Sequence, residues 1–389
     1  MNETSIPNLI EQIKQRYEWD QTHRPRAVIA SDVPISYESI TSEWLTAVLC
    51  GKHPPAAVVD FRLDEPDNGS SNRRRIFLQY NQAGQEAVLP SSVFCKASND
   101  LSNRLQLGLS GAARAEVTFF NSVRPLVDFH APRAYFANYD PRSYASIVML
   151  EDIAGKVEFC THTTPMTRQR AESQIRLLAK LHSRFHENAD LRTIVATLGT
   201  WPEYFGRCVA AFRLEEYCNV GFLRGESVIP ARLYKRSAEV WPATLASVAA
   251  HPRLPQTLMH GDVHLRNWYI ASDGEMGLGD WQMICSANWS RDVAYAIATA
   301  LTVDDRRAWE KDLIALYLDE VAQAGLPTPS REVALTLYRQ QLFAALAWWT
   351  ITLTPSPEMP DMQPAASSLE FIKRITHAID DLDALESFQ

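Results

Sequence analysis

The sequence predicts an α+β protein whose first half contains a mostly antiparallel sheet and whose second half is mostly helical. The chain has 389 residues, of which 46% are hydrophobic and 22% are charged, an ordinary composition for a globular protein. Its length exceeds what one compact core usually holds and therefore indicates two lobes around a cleft. The spacing of the apolar residues also changes along the chain, from alternating in the first half to helical in the second.

Five segments of the first half have the character of short strands. They cover residues 57–63, 75–80, 88–96, 133–137 and 143–150. Clusters of Asn, Asp, Gly and Ser at 67–72, and the residues at 81–84, predict turns between them. Residues 111–123 have apolar residues along one side and predict a single helix interposed in the sheet. Upstream of the sheet, Thr41 or Ser42 is expected to cap a helix.

Helical spacing of apolar residues dominates the second half. It predicts helices at about 167–186, 201–219, 229–249, 290–301, 304–324, 330–351 and 365–386. His182, in the first of them, is interpreted as a packing residue. Residues 257–282 interrupt the helices with short strand-like pieces and loops. We therefore expect an N-terminal lobe at 1–152, with a helical extension at 1–50, and a helical C-terminal lobe at 153–389.

Charge and cysteine usage exclude several classes of protein. The formal net charge is −8 and no dense cluster of Lys and Arg is present, so no nucleic-acid partner is expected. Six scattered cysteines without a CxxC pair argue against a zinc site or disulfides and favour the cytoplasm. The N-terminus lacks the apolar stretch of a signal peptide. The apolar run at 342–353 is too short to span a membrane, and the oligomeric state is left open.

The segment with the clearest chemistry reads HGDVHLRN over residues 260–267. Asp280 follows Asn267 by thirteen residues, beyond a short hairpin. In phosphoryl transfer, one carboxylate orients the attacking hydroxyl and accepts its proton. An amide oxygen and a second carboxylate are hard ligands of the kind that Mg²⁺ prefers. The spacing therefore predicts Asp262 as the catalytic base, with Asn267 and Asp280 as metal ligands.

This loop resembles the catalytic loop of the superfamily of aminoglycoside phosphotransferases, choline kinases and ecdysteroid kinase-like proteins, which has a protein-kinase-like fold. Gly261 stands where protein kinases have Arg. The tripeptide DWQ at 280–282 is similar to the metal-binding segment of the family, and its Gln is closer to the ecdysteroid kinase-like branch. That Gln leaves Asp280 as the only acidic metal ligand in the tripeptide. The resemblance also implies that Asp292 and His260 brace the loop. Both a structural and a functional role are open for His264, and the structural one is favoured.

The resemblance implies a lysine that holds the nucleotide phosphates. A kinase places this lysine on a strand of its sheet, and Lys96 ends the run VFCK. Glu116, on the next helix, is its expected ion-pair partner. ATP and Mg²⁺ are therefore the expected cofactors, with ATP rather than GTP inferred from the family.

Two further segments are expected to contact the nucleotide. The turn at 67–72 lies where the family has its phosphate-covering loop, and Ser70 and Ser71 offer N–H groups and hydroxyls to phosphate. A plain hairpin turn is the alternative interpretation. A hinge is expected after the last strand, so the backbone from Glu151 to Ile153 is predicted to contact the adenine edge.

The acceptor is expected to be a small-molecule alcohol, because family members phosphorylate aminoglycosides, macrolides, choline, ethanolamine, sugars, homoserine or ecdysteroids. The helices after the hinge and near the C-terminus are rich in aromatic residues: Trp201, Tyr204, Phe205, Phe212, Tyr217, Phe222, Trp289, Trp348 and Trp349. These residues favour a bulky apolar alcohol resembling a steroid or macrolide, and they also suit a choline-like cation. The candidate carboxylates for an aminoglycoside are not clustered: Glu203, Glu215, Glu216 and Asp361. Core packing is the alternative explanation of most of the aromatic residues.

Two other classes of protein compete with this interpretation. A protein kinase is disfavoured because the sequence has no recognisable Ala-Pro-Glu segment. It also has no long activation segment between Asp280 and Asp292. A non-catalytic nucleotide-binding scaffold is the second alternative. It is not favoured, since Lys96, Asp262 and the two metal-ligand candidates are all present.

Overall fold

The computed structural model describes residues 6–357 and 359–388, which form two compact units. The sheet unit comprises the described residues of Met1–Pro125, Pro132–Ala154 and Glu358–Pro360. The helical unit comprises those of Leu126–Ala131, Gly155–Pro357 and Asp361–Gln389. Each unit has its own buried core.

An antiparallel sheet forms the centre of the sheet unit. Its strands are β1 (Val58–Leu63), β2 (Asp67–Asn68), β3 (Asn72–Tyr80), β4 (Ser92–Ala97), β5 (Ala134–Tyr139) and β6 (Ser146–Glu151). The strand order is β1-β3-β4-β6-β5, with β2 also paired to β3, and every pairing is antiparallel. One face is fully buried, as shown by Ile76, Val93 and Met149 at 0% exposure. The predicted antiparallel sheet is confirmed.

Five α-helices of the described residues belong to the same unit as this sheet. They are α1 (Ile6–His23), α2 (Ser42–Leu49), α3 (Gln82–Glu86), α4 (Leu101–Ser110) and α5 (Ala112–Thr118). Thr41 caps α2 by accepting a hydrogen bond from Trp44 N. Gly111 has φ +82°, a conformation that suits glycine, and it separates α4 from α5. The helix predicted at 111–123 is thus α5, which continues as one π-helical turn to Val123.

Two local features of the sheet unit were not predicted. The turn expected at 81–84 is instead the start of helix α3, which Asn81 caps. The strand predicted from residue 88 begins only at Ser92, after Val88 adopts a left-handed backbone (φ +53°). Helix α4 was missed because its sequence is largely polar. It packs against α1, and the buried Arg104 Nη1 lies 2.5 Å from Asp20 Oδ2 of that helix. A long-range ion pair of this kind leaves no periodic signal in the sequence.

The helical unit contains ten further helices and five short strands among its described residues. The helices are α6 (Arg168–Arg184), α7 (Ala189–Leu198), α8 (Trp201–Phe212), α9 (Leu214–Arg224), α10 (Ala231–Tyr234), α11 (Ser237–Ala249), α12 (Ser290–Ala300), α13 (Val303–Gln323), α14 (Arg331–Leu353) and α15 (Ala365–Asp381). The strands are β7 (Glu158–Phe159), β8 (Thr257–Met259), β9 (Trp268–Ile270), β10 (Met276–Leu278) and β11 (Cys285–Ala287). Every residue of α12 is buried. This helix therefore lies in the core of the unit.

The strand-like island predicted at 257–282 is present. β9 pairs with β10 and β7, and β8 pairs with β11, all antiparallel. The helix predicted at 201–219 is instead two helices, because Arg213 adopts a left-handed conformation (φ +53°) between α8 and α9. Among the described residues, none of the helices has the length and apolarity needed to cross a bilayer.

Candidate active site

The predicted catalytic loop leaves β8 and makes a sharp turn at Gly261. Gly261 has φ +87°, and a Cβ placed on it would lie only 2.8 Å from the carbonyl oxygen of Met283. Only glycine fits this combination of left-handed backbone and close approach. The buried Val263 and Leu265 anchor the far side of the loop, and Val263 O accepts a hydrogen bond from Trp268 Nε1 at 2.9 Å. The loop is therefore held rigidly on both sides of Asp262.

Asp292, in the first turn of α12, braces the start of this loop. Its two carboxylate oxygens accept hydrogen bonds from the backbone N–H groups of His260 (2.6 Å) and Gly261 (2.9 Å). His182 Nε2 lies 3.3 Å from the same carboxylate. Burial raises the pKa of Asp292, but the hydrogen bond and charge of His182 and the Gly261 N–H outweigh it and lower that pKa. A stable carboxylate thus fixes two loop amides.

His182 is more than the packing residue that its position in the sequence indicated. Its Nδ1 lies 2.9 Å from the hydroxyl of Tyr317, while its Nε2 faces Asp292. The imidazole is buried at 2% exposure. His182 therefore connects α13 to the carboxylate that braces the loop, a polar role that helical spacing alone does not reveal.

His260 joins the catalytic loop to the segment that carries Asp280. Its Nδ1 accepts the backbone N–H of Asp262 at 3.1 Å, so its Nε2 carries the proton and donates to the carbonyl of Gly279 at 2.9 Å. Trp281 packs on the ring with a centroid separation of 4.4 Å. Burial lowers the pKa of His260 despite the nearby carboxylates. These contacts agree with the bracing role inferred for this residue.

Asp262 lies at the open side of the loop, with 17% of its side chain exposed. The Tyr295 hydroxyl donates to Oδ1 at 3.2 Å, and Asn267 Nδ2 donates to Oδ2 at 3.1 Å. His264 Nε2 lies 3.5 Å from Oδ2. Burial raises the pKa of Asp262, but the charge and hydrogen bond of His264 and the charge of Arg291 outweigh it and lower that pKa. Asp262 is therefore an ionised carboxylate in a fixed orientation.

The two predicted metal ligands lie on either side of the β9–β10 hairpin. Asn267 donates its amide N–H groups to Asp262 O (2.7 Å) and Oδ2, which leaves its amide oxygen as an acceptor. The backbone N–H of Gly279 donates to the backbone carbonyl of Asn267 at 2.8 Å. This bond brings the neighbouring Asp280 close to Asn267. Asp280 has φ +59°, a costly conformation for aspartate that is often found at functional sites. This oxygen donor set fits Mg²⁺, which takes few protein ligands and keeps water or phosphate as the others.

Lys96 and Glu116 form the ion pair expected in the sheet unit. Lys96 Nζ lies 2.5 Å from Glu116 Oε1, and both side chains are buried. Lys96 is paired with Val148 in the centre of the sheet, between β3 and β6. The predicted pairing is thus confirmed, whereas the role of Lys96 toward phosphate stays a prediction.

The turn between β2 and β3 has the geometry of a short hairpin. Gly69 N donates to Ser71 O at 3.0 Å, and Asn103 Nδ2 donates to Gly69 O at 2.6 Å. Ser71 is buried, and Ser70 is partly buried. Because one turn amide is already used internally, the hairpin and phosphate-binding interpretations of this segment both stay open.

The predicted hinge follows β6. Glu151 is the last residue of this strand, and its N–H donates to Arg133 O at 2.8 Å. Asp152 pairs with Arg75, with Oδ2 2.5 Å from Nε. Ile153 is partly buried in the next position. The ion pair at Asp152 fixes the segment whose backbone was predicted to contact adenine.

Several of the aromatic residues proposed for the acceptor form one cluster. Trp201, Tyr204, Phe205 and Trp348 have ring centroids 5.4 to 6.5 Å apart. A second group lies directly beside Asp262, where the His264 ring contacts Trp349 at 5.0 Å and Phe371 at 6.0 Å. These rings are mostly buried. The core therefore accounts for much of the aromatic content.

Two of the four candidate carboxylates already have partners. Glu203 caps α8 by accepting from Thr200 N at 2.7 Å, and Glu216 lies 2.5 Å from Arg213. Carboxylates bound in this way are less available to a polycationic acceptor. The neighbourhood described for Asp262 is instead aromatic and basic, with Arg291 and His264 close to it.

The held carboxylate of Asp262, the amide of Asn267 and the hairpin residue Asp280 have the arrangement that was predicted for phosphoryl transfer. The sequence matches the family model described as the phosphotransferase enzyme family over residues 65–331. This match covers more than half of the chain. The chain therefore belongs to the phosphotransferase enzyme family, which confirms the class of small-molecule kinase predicted from the sequence.

Solved structures similar to this one include kinases of several small molecules. An ethanolamine kinase from Plasmodium vivax shares 10% identity, with 98% of this chain and 95% of that chain covered and a TM-score of 0.48. The choline kinase LicA from Streptococcus pneumoniae shares 11%, with 83% and 94% covered and a TM-score of 0.46. The macrolide 2′-phosphotransferase MphH from Brachybacterium faecium shares 14%, with 78% and 89% covered and a TM-score of 0.42. A comparison with curated proteins gave no significant match.

Tyr295 contacts Asp262 directly, and sequence reasoning did not assign it to the site. It lies three positions after Asp292 on α12, so both side chains face the catalytic loop. The sequence signal for this contact was the spacing of three residues between Asp292 and Tyr295, which places both on the same side of α12.

Proposed function

We propose that the protein transfers the γ-phosphoryl group of ATP directly to the hydroxyl of a small-molecule alcohol. The observation that carries this proposal is the fixed orientation of the ionised Asp262 between Tyr295 and Asn267. The proposed division of labour has an ATP-binding N-terminal lobe at 1–152 and an acceptor-binding lobe at 153–389. The six free, buried cysteines support a cytoplasmic location.

Asp262 is the proposed base of the reaction. Its carboxylate orients the acceptor hydroxyl and takes its proton as the oxygen attacks the γ-phosphorus. The bond from that phosphorus to the bridging oxygen of ADP breaks, and no covalent enzyme intermediate forms. Asp292 and His260 keep the loop in place while the proton moves.

The remaining groups bind the nucleotide in this proposal. Lys96, positioned by Glu116, contacts the α- and β-phosphates. Asn267 and Asp280 hold Mg²⁺, which neutralises the phosphate charge when bound. Ser70, Ser71 and the backbone from Glu151 to Ile153 are the further nucleotide contacts, with ATP preferred over GTP on family grounds.

We propose a bulky, uncharged alcohol, resembling a steroid or a macrolide, as the acceptor. The aromatic character of the helices after the hinge supports this choice, as do the internal partners of Glu203 and Glu216. A choline- or ethanolamine-like cation would also need free aromatic faces. The guanidinium of Arg291 already lies 5.1 Å from the centroid of Trp201, and it would repel a second cation there. Aminoglycosides and choline-type amines therefore rank below neutral alcohols.

The test is transfer of label from γ-labelled MgATP to a panel of sterols, macrolides, sugars, choline and aminoglycosides. Transfer to one class, lost in Asp262→Asn while MgATP still binds, would support the proposal and identify the acceptor class. General-base loss of this kind typically costs about 10²- to 10⁴-fold in turnover. If Asp262→Asn left turnover unchanged, the proposed mechanism would be wrong. MgATP binding without transfer or hydrolysis would favour a scaffold.

A further inference from the structure

Arg291, the second residue of α12, is a fully buried cation that forms no ion pair with the described residues. Its exposure is 0%, and no carboxylate of the described residues lies within ion-pair distance of its guanidinium. Nε and Nη1 lack hydrogen-bond partners among the described residues. Within the described part of the chain, its side chain donates one hydrogen bond, from Nη2 to Gly261 O at 3.4 Å. A buried charge in such surroundings is costly, so its presence requires a compensating role.

Arg306 shows how this chain stabilises a buried arginine elsewhere. It is equally buried, at 1% exposure, but Nη1 lies 2.7 Å from Glu310 and Nη2 contacts Asp381. Its charge is thus matched by two carboxylates. Arg291 instead has aromatic faces at contact distance, while the charges of Asp292 and Asp262 act on it from beyond ion-pair distance. This difference indicates a different role for its guanidinium.

The guanidinium of Arg291 lies over the rings of two aromatic residues. Its Cζ is 4.5 Å from the centroid of Tyr295 and 5.1 Å from that of Trp201. Attraction between a cation and a ring face strengthens where water is excluded. Tyr295 is itself buried, and its hydroxyl donates to Asp262 Oδ1 at 3.2 Å. Arg291 therefore contacts the ring whose hydroxyl orients the proposed base.

We propose that Arg291 is a positioning residue for phosphoryl transfer, which holds the ring of Tyr295 so that its hydroxyl keeps Asp262 in the productive orientation. This inference rests on the proposed function of Asp262. The hydrogen bond to Gly261 O adds a second contact to the same loop. The guanidinium thus contacts both the ring of Tyr295, whose hydroxyl holds the Asp262 side chain, and the backbone of the residue before Asp262. It does so without touching the reacting atoms.

The experiment compares Arg291→Met and Arg291→Lys with the unaltered full-length protein in the release of phosphate from MgATP, measured without an acceptor. Methionine keeps much of the volume but removes the charge and the planar group. We expect kcat to fall about 10- to 100-fold in Arg291→Met, the range that misplacement of a catalytic group produces. The KM for MgATP should change less than about twofold, because uniform binding is not affected. Arg291→Lys should recover part of kcat because it keeps a cation over the ring.

A double-mutant cycle tests whether Arg291 acts through Tyr295. Tyr295→Phe keeps the ring but removes the hydroxyl that holds Asp262. In that background, Arg291→Met should cause only a small further loss of kcat, since the connection is already broken. Additive losses would overturn the proposal. A wild-type kcat in Arg291→Met would overturn it too, as would a parallel loss of kcat and MgATP affinity in both Arg291 variants.

Arg306→Met is the matched control for loss of a buried arginine. It removes a cation of similar burial in the same unit, away from the catalytic loop, so it should lower the melting temperature but leave kcat of the folded protein unchanged. Asp262→Asn separates the two proposals. If Asp262→Asn hydrolyses MgATP as fast as the unaltered protein, the proposed function fails, whatever Arg291→Met does. A slow Asp262→Asn beside a fully active Arg291→Met overturns the positioning role alone.

Discussion

The imidazole of His260 donates from Nε2 to the carbonyl of Gly279 at 2.9 Å, which connects the loop of the proposed base to the hairpin that precedes Asp280. The same ring accepts the backbone N–H of Asp262 through Nδ1. One neutral imidazole therefore fixes the relative positions of the proposed base and of one proposed metal ligand. A neutral histidine donates through one ring nitrogen and accepts through the other, and both nitrogens are fixed in one rigid ring.

His260→Phe should keep the ring packing on Trp281 but lose both hydrogen bonds. The unpaired groups left behind should lower the free energy of unfolding by about 1–3 kcal/mol. Turnover should fall by about 10- to 100-fold as Asp262 and Asp280 lose their common support. Urea unfolding and label transfer measure the two effects. His251→Phe is the control, because it also removes two hydrogen bonds from a buried imidazole, and it should reduce stability without slowing transfer.

Gly261→Ala should disrupt the catalytic loop more than a similar change at a free turn. A left-handed alanine alone costs about 1–2 kcal/mol, and at Gly261 the new methyl group would also lie 2.8 Å from Met283 O. Gly274 has φ +85° but no atom within 4 Å of its added Cβ, so Gly274→Ala isolates the backbone cost. Urea unfolding and turnover of both variants should show the larger losses at Gly261. Equal stability losses, with full activity in both, would contradict the steric argument.

Local spacing in the sequence was sufficient to predict the catalytic loop. Asp262, Asn267 and Asp280 lie within nineteen residues, and short hairpins bring such neighbours together regardless of the rest of the fold. The pairing of Lys96 with Glu116 was also predictable, because a buried strand lysine needs a partner and the next helix predicted from the sequence, now α5, offered one. The antiparallel sheet followed from its alternating segments.

Contacts that depend on distant parts of the chain were not predictable. His182 and Tyr317 meet across 135 positions, and no periodicity links them. The left-handed backbone at Arg213, which divides one predicted helix into two, occurs in a residue that carries no turn signal. Arg291 forms no ion pair with the described residues, and the charges of Asp262 and Asp292 act on it only from a longer distance. Such features arise from tertiary packing, which overrides local propensity.

Replacement of Lys96 and Glu116, singly and together, should separate stability from nucleotide binding. Glu116→Gln leaves a buried ammonium without its carboxylate and should cost about 3–5 kcal/mol of stability. Lys96→Met with Glu116→Leu should recover much of that loss, since an apolar pair replaces the ions. The double variant should still bind MgATP about 10- to 100-fold more weakly, because a charge-assisted contact to phosphate is missing. Calorimetric titration and urea unfolding report the two quantities, and undiminished MgATP affinity in the double variant would remove Lys96 from the site.

His251 is held in one neutral form by its partners in the helical unit. Asn288 N donates to Nδ1 at 3.0 Å, and Nε2 lies 2.9 Å from Gln341 Oε1 and donates to it. A proton on Nδ1 would face another N–H group. Burial accordingly lowers the pKa of His251 from 6.5 to about 4, although Gln341 and Asp292 act in the opposite direction.

This shift makes His251 a source of acid sensitivity. Because the folded pKa lies below the unfolded one, the unfolded chain binds more protons between about pH 6.5 and 4, so stability is complete above that window and falls as the pH decreases through it. The full shift corresponds to about 3 kcal/mol. His251→Asn should be less stable at pH 7 but should lose less stability on acidification than the unaltered protein. Urea unfolding at pH values from 7 to 4 measures the difference between the two curves, since the other titrating groups are common to both. Parallel curves would show that His251 does not titrate in this window.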